Sequence, residues 1–411
     1  MKKLFLPVLS AVVISITSVS CSDKKDPIGP DTEIPNEDGL VVKKGIIKSN
    51  ETWTADKVYL LDGRVVVDEG VTLTIEPGTI IKAENGQGSN ATALIVDRGA
   101  KLIANGTADK PIIFTAKLDG IKRGEKASTL KVTDAGQWGG VIMLGNAPIS
   151  VANAEGIAYI EGIPAGQSYG EYGGKNPTDN SGSLKYVSIR FSGVALENNS
   201  EIQGLTLGGV GSGTTIENIE IFSNKDDGIE WFGGTVNVKN VLIYGQEDDG
   251  LDIDQGYSGT IDNALVIQTK ESDSALEIDG PEGNAKGAFT LKNITIDMNN
   301  LPGKRIADFR DGATGMLENI YVKNIVDGNV VRMNDDKSIE TLNSDELIFK
   351  NWELVLPEGK TVEQLFTVHK ETQVKADATK FTNHAKGVKE SALGADVKVF
   401  DWTFAKSLRV F

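Results

Sequence analysis

Carboxylates recur at near-regular intervals in the middle of this 411-residue chain. Glu230, Asp252 and Glu277 hold one recurring position, and Phe232, Asp254 and Asp279 hold a second, two residues further on. The pairs Asp226–Asp227 and Asp248–Asp249, with Asp273, stand just upstream. Side chains of this kind support two chemistries. They can ligate a hard cation through oxygen, and Ca²⁺ suits an irregular, oxygen-rich set; the candidate ligands are Asp226, Asp227, Asp248, Asp249, Asp252, Asp254 and Asp279. Carboxyl groups roughly 6.5–9.5 Å apart can also act as acid and base in inverting glycoside hydrolysis, a spacing open to Glu230 and Glu277. A third alternative involves no ligand: a solvated acidic face whose Asp-Asp-Gly turns suit left-handed backbone.

The elements that must position these acids are written as a repeat. Residues 218–234 read NIEIFSNKDDGIEWFGG, 240–256 read NVLIYGQEDDGLDIDQG, and 263–280 read NALVIQTKESDSALEIDG, with starts 22 and 23 residues apart. A period of this size marks a solenoid, in which each unit buries its apolar side only against its neighbours. Alternation within the runs puts Ile219, Ile221, Ile229 and Trp231 inside, with Val241, Ile243, Leu251 and Ile253 as their equivalents. Asn218, Asn240, Asn263, Asn293, Asn319 and Asn351 recur before β-runs, where a stacked polar ladder satisfies buried turns. Aligned on the second run, one outward column reads Thr206, Glu230, Asp252, Glu277, Asp308, Arg332; the other reads Gly208, Phe232, Asp254, Asp279, Arg310, Asn334. Neighbouring strands lie about 4.8 Å apart, so bare carboxylates there repel by about 1 kcal/mol in water and more when shielded. Arg310 and Arg332 neutralise one end. A bound cation is the remedy for the middle, which makes Glu230, Phe232, Asp252, Asp254, Glu277 and Asp279 a candidate binding face for a sugar polymer.

The cassettes, with TLTIEPGTIIKA and LIVDRGAKLIANGTADKPIIFTA earlier in the chain, resemble the right-handed parallel β-helix of the pectate-lyase-like superfamily over roughly residues 45–355. The resemblance implies an all-β solenoid with a small mixed C-terminal cap. It also implies what an enzyme here would use. Lyases of this superfamily acidify a uronate with bound Ca²⁺ and take an Arg or Lys as base; here Asp252, Glu277 and Asp308 match the metal-binding acids and Arg310 or Arg332 the base. Polygalacturonase-type hydrolases carry motifs resembling DDGIE and DDGLD, but their Gly-His-Gly and Arg-Ile-Lys motifs are missing, and His369 and His384 lie outside the repeat. The scaffold also carries adhesins and binding proteins, so fold alone does not assign activity. The readings are therefore a binding protein for an extracellular glycan or envelope partner, a Ca²⁺-dependent lyase or atypical hydrolase, and an adhesin-like spacer.

The ends of the chain bear on location. Lys2 and Lys3, an apolar stretch, then Ser20 and Cys21 read as a lipoprotein signal peptide over residues 1–20, with Cys21 as the lipidated residue. Cys21 is the only cysteine, which excludes an intrachain disulfide, thiolate metal sites and Cys catalysis. Residues 21–40 read as an acidic tether that resembles the surface-export signal of Bacteroidota lipoproteins. The expected division is then β-helix over 41–356 and cap over 357–411, with Val397–Leu408 as a closing strand pair. This predicts an outer-membrane lipoprotein, displayed at the cell surface and held by lipid alone, with a polysaccharide or outer-membrane protein as partner. Without residues 1–20, 40 basic and 58 acidic side chains leave a formal charge of −18, which disfavours nucleic acid and anionic lipid. Residues 117–134 and 148–182 read as loop excursions. The polymer-groove reading fails if the second packs flat over the acidic column.

Overall fold

The computed structural model describes residues 40–163, 166–197 and 200–411. The signal peptide, Cys21 and nearly all of the tether lie outside the described residues. Of the 28 described strands, 24 join one parallel sheet that coils on itself, and the other four form two short antiparallel pairs. Each turn of the coil has three faces. In one turn, residues 215–217 lie on the first face, Asn218 makes a corner, 219–224 lie on the second, and Ile229–Phe232 lie on the third. The register is continuous: Trp231 pairs with Ile253, Ile253 with Ile278, Ile278 with Phe309, and Phe309 with Met333. These residues, with Ile219, Ile221, Val241 and Ile243, are buried in a single core that runs through the stack.

The corners explain the recurring asparagines. Asn218, Asn240, Asn263, Asn293, Asn319 and Asn351 have φ between 51° and 67°, the left-handed region that Asn tolerates better than other residues with a Cβ. They sit within the strands, as a kink between two faces, where the sequence suggests a position ahead of the run. Their side chains form the ladder directly. Asn240 Nδ2 donates to Asn218 Oδ1 (3.0 Å) and Asn263 Nδ2 to Asn240 Oδ1 (2.9 Å). The ladder breaks at Asn293, which donates to Asp262 instead (2.7 Å), because Asn263 Oδ1 accepts from the backbone of Asp396. It resumes through Asn319 and Asn351.

Two expectations about the C-terminal part change. The coil does not stop at residue 356, since Phe366–Val368 and Ala385–Gly387 extend the third and second faces. Residues 397–408 form no strand pair; they hold the 3₁₀ turn Val397–Phe400 and the one-turn helix Phe404–Ser407. The apolar alternation that suggested strands instead serves a strap lying back along the second face. Ala395 N donates to Thr295 Oγ1 (2.9 Å), and Ala405 N donates to Glu220 Oε1 (2.8 Å). The Phe404 ring lies 4.8 Å from that of Phe222, over the buried Arg190–Glu220 pair. Among the described residues, no helix is long and apolar enough to cross a membrane.

Candidate metal centre

The register of the third face places the acids as the repeat implies. Thr206 pairs with Glu230, Glu230 with Asp252, Asp252 with Glu277, Glu277 with Asp308, and Asp308 with Arg332. The second column follows with Gly208 against Phe232, Phe232 against Asp254, and Asp279 against Arg310. The Asp-Asp turns close one flank of this face. Oxygens of Asp226, Asp227 and Asp248 lie within 4.8 Å of one another; so do those of Asp227, Glu230 and Asp252, and those of Asp248, Asp249 and Asp273. Asp227 and Asp248 each belong to two of these groups, so the acids form one connected seam.

The seam has a structural and an unsatisfied part. Asp227 Oδ1 accepts the backbone N–H of Asp249 (2.8 Å), and Asp249 Oδ1 accepts that of Ser274 (2.5 Å). The second Asp of each pair thus ties one turn to the next. Gly228 and Gly250 are not left-handed, contrary to the reading of Asp-Asp-Gly as an αL turn. They are needed for close approach: a Cβ on Gly250 would stand 2.6 Å from the Ala275 carbonyl oxygen and 2.6 Å from Val266. Glu230 is different. It is only 6 % exposed, its carboxyl group lies against those of Asp227 and Asp252, and its Oε2 is buried without a hydrogen-bond partner. A buried lone oxygen of this kind costs free energy unless a proton or a cation supplies the missing contact.

Electrostatics sharpen the contrast between the two ends of the seam. At the far end Asp308, fully buried, accepts from Arg332 Nε (2.8 Å) and Arg310 Nε (3.2 Å), with Arg305 Nε 3.5 Å away. Arg310 also contacts Glu277 and lies 4.0 Å from Asp279, and Arg305 contacts Asp273. At the near end no guanidinium among the described residues forms an ion pair with Glu230. Burial, then the charges of Asp227 and Glu161, holds Glu230 well above the usual carboxylate range. Burial, then Glu230 and Asp227, does the same to Asp252. Burial pushes Asp226 up to about 8 and both Asp254 and Asp279 up to about 7. Burial, then the charge of Asp249, raises Glu277, whose Oε2 is also buried without a hydrogen-bond partner. Charges about 4.8 Å apart at an effective dielectric near 20 repel by roughly 3–4 kcal/mol per pair, so these groups do not all ionise without a counter-ion.

Access is narrower than the sequence suggests. The 148–182 insertion folds over the first turns of the face. Tyr172 packs on Phe232 with ring centroids 6.0 Å apart, and its hydroxyl donates to Gln255 Oε1 (3.0 Å). Phe232 is therefore part of a small apolar cluster with Ile149, Ile160 and Ile163, and is no open platform for a sugar ring. Trp138, Tyr172 and Phe222 are buried likewise. Glu161, from the insertion, accepts from Gln203 (2.8 Å) and adds a carboxyl group to the seam that the repeat gave no means of finding. Asp252, Asp254 and Asp279 remain half-buried and Asp248 exposed, which leaves a short mouth and no long trough.

Arg310 and Arg332, the candidate bases, are both consumed in ion pairs and held protonated. For Arg332 the leading cause is its hydrogen bond to Asp308, and for Arg310 the charges of Glu277, Asp279 and Asp308 outweigh burial. Asp308 is wholly buried among them. The two histidines lie away from the seam, His384 beside Trp352 on the second face and His369 after Val368.

A three-faced coil of parallel strands with stacked corner asparagines defines a right-handed parallel β-helix. The chain matches the family model described as the pectate-lyase like beta helix domain over residues 45–406, and it belongs to that family. No curated protein and no solved structure matches it.

Proposed function

We propose that this chain is a surface-displayed, lipid-anchored binding protein that holds a hard divalent cation of the Ca²⁺ type in its acidic seam and uses it to engage an acidic extracellular glycan. Asp227, Glu230 and Asp252 would hold the cation, with Asp226 and Asp248 adjoining. The observation that carries this reading is Glu230, whose carboxyl group lies against those of Asp227 and Asp252, whose Oε2 is buried and unpartnered, and which forms no ion pair with a cationic side chain among the described residues. The cation supplies charge balance and open coordination positions toward the half-buried Asp252 and Asp254, where a uronate carboxylate could complete its shell. Binding is favoured over lyase chemistry because both candidate bases are locked in ion pairs with Asp308.

Thermal melting with EDTA and then with millimolar Ca²⁺ tests the reading. One-site binding at 100 times its dissociation constant adds about 2.7 kcal/mol, enough to raise the melting temperature by a few degrees. The rise should vanish in a Glu230→Gln/Asp252→Asn double variant. Polygalacturonate should then be retained by the wild type in Ca²⁺ and released by EDTA, without formation of unsaturated uronate ends. No melting shift in the wild type would overturn the cation site, and release of unsaturated products would restore the lyase.

A further inference from the structure

A second site stands on the first turns of the coil, on another face from the acidic seam, and has the opposite charge. Residues 117–134 fold down over the second face near its N-terminal end and wall off a cavity of about 660 Å³. The loop is built around one carboxylate. Asp119, buried, accepts from Thr115 Oγ1 (2.7 Å), Ser128 Oγ (2.6 Å), Thr129 N (2.9 Å) and Ile121 N (3.2 Å). Ile121 is thereby pressed onto Ile80 and Ile113, and the loop is fixed against the strands beneath.

Four cationic side chains line the cavity: Lys82, Lys117, Lys122 and Arg123. Lys82 rises from the sheet, is partly buried, donates to the carbonyl oxygen of Asp119 (2.6 Å), feels that residue's buried charge, and forms no direct ion pair among the described residues. Lys122 is exposed and has no ion-pair partner among the described residues. Arg123 donates to the backbone carbonyl of Asp56 and also feels that residue's carboxylate charge, and Lys117 pairs with Glu84. The floor and sides are apolar, from Val58, Leu60 and Leu40 with Ile121. Like charges gathered in a chain of formal charge −16 repel one another at a cost that an anion would remove.

We infer that this cavity is a binding site for an acidic amphiphile, a molecule with a carboxylate or phosphate head and an acyl-like body. The head takes Lys82, Lys122 and Arg123, and the body lies on Val58, Leu60 and Ile121. A volume of several hundred Å³ with apolar walls and a few convergent polar groups is the ordinary form of a small-molecule site. The cavity shares no residue with the acidic seam, so the inference stands whether or not that seam binds a cation.

The test uses a chain beginning at residue 22, because every coil lies within residues 40–411. Monomeric decanoate and decyl phosphate are titrated calorimetrically, with decanol and decyltrimethylammonium as neutral and cationic controls. The expected result is one acidic amphiphile per chain, with decanol at least tenfold weaker. Lys82→Gln should weaken binding by about tenfold, the worth of one charged hydrogen bond. Lys122→Gln, at an exposed and unpaired position, should weaken it without changing the melting temperature, which separates lost binding from lost folding. Vesicles of phosphatidylglycerol against phosphatidylcholine identify the source. Binding that the two variants lose points to a membrane headgroup, and binding of monomers alone points to a free amphiphile. Equal affinity for decanol, unchanged affinity in both variants, or no binding to any acidic probe would overturn the inference.

Discussion

At the scale of single residues, the seam divides by whether a carboxyl group has a partner. Asp308 has three guanidinium groups around it, so Asp308→Asn removes the only charge that lies at the centre of all three. We expect a loss of about 3–5 kcal/mol in urea unfolding, the usual cost of breaking a buried pair from one side. Glu230, Asp226, Asp252, Asp254 and Asp279 behave differently, because their folded-state values lie above those of the unfolded chain. The folded chain therefore keeps protons that the unfolded chain has released. Stability without a cation should fall as pH rises from about 5 through 8, spanning the values of about 7 for Asp254 and Asp279 and about 8 for Asp226. With Ca²⁺ present the decline should flatten, and Ca²⁺ uptake at pH 7 in weak buffer should release protons. Melting curves at pH 5.5 and 8, each with EDTA and with Ca²⁺, check the sign; stability that rises with pH in EDTA would refute the raised values.

At the scale of elements, the turn-to-turn connections carry the next expectations. Asn240 holds a left-handed corner and two ladder bonds. Asn240→Gly keeps the backbone geometry and loses the bonds, while Asn240→Ala loses both. Chemical unfolding should rank wild type above Gly and Gly above Ala, with the Ala variant about 1–3 kcal/mol below wild type. Gly250→Ala should cost a similar amount, since its methyl group would meet a backbone oxygen of the next turn that cannot retreat without opening the sheet. The periodicity made much of this legible. The cassette starts, 22 and 23 residues apart, set the register of the middle turns, and aligning the second runs gives the outward column from Thr206 to Arg332, whose intervals vary from 22 to 31 residues. What counting cannot supply is the direction from which non-repeating segments return. Glu161, the cover on Phe232 and the strap across Glu220 all come from segments without the period. An outward position in the repeat therefore does not face solvent where another part of the chain lies on it. The glycines of the Asp-Asp-Gly turns follow the same logic: their role lies in close contact with the adjacent turn, not in a left-handed φ of their own.

At the scale of the whole molecule, the stack of parallel turns is held mainly by neighbour-to-neighbour contacts, the condition under which a solenoid unfolds piecemeal. The C-terminal strap counters this. It bonds to Thr295 and Asn263 at one end and to Glu220 at the other, so it links turns far apart in the stack. At Glu220 it also seals a charge pair that would be wet without it: Arg190 lies 3.8 Å from Glu220, joined through Ser188, beneath the Phe404 ring. Phe404→Ala would remove the ring that covers Phe222 and Arg190 while leaving the backbone of the strap intact. A buried Phe lost in this way costs about 3–5 kcal/mol if the whole stack unfolds as one unit. If the strap is what makes the stack one unit, the variant should do more than melt earlier. Its denaturant transition should broaden, and hydrogen exchange should accelerate first on residues 187–192 and 219–224, ahead of the third face. A transition that shifts with unchanged steepness and uniform exchange would show that the turns cooperate through the sheet alone, with the strap acting only as one more apolar contact.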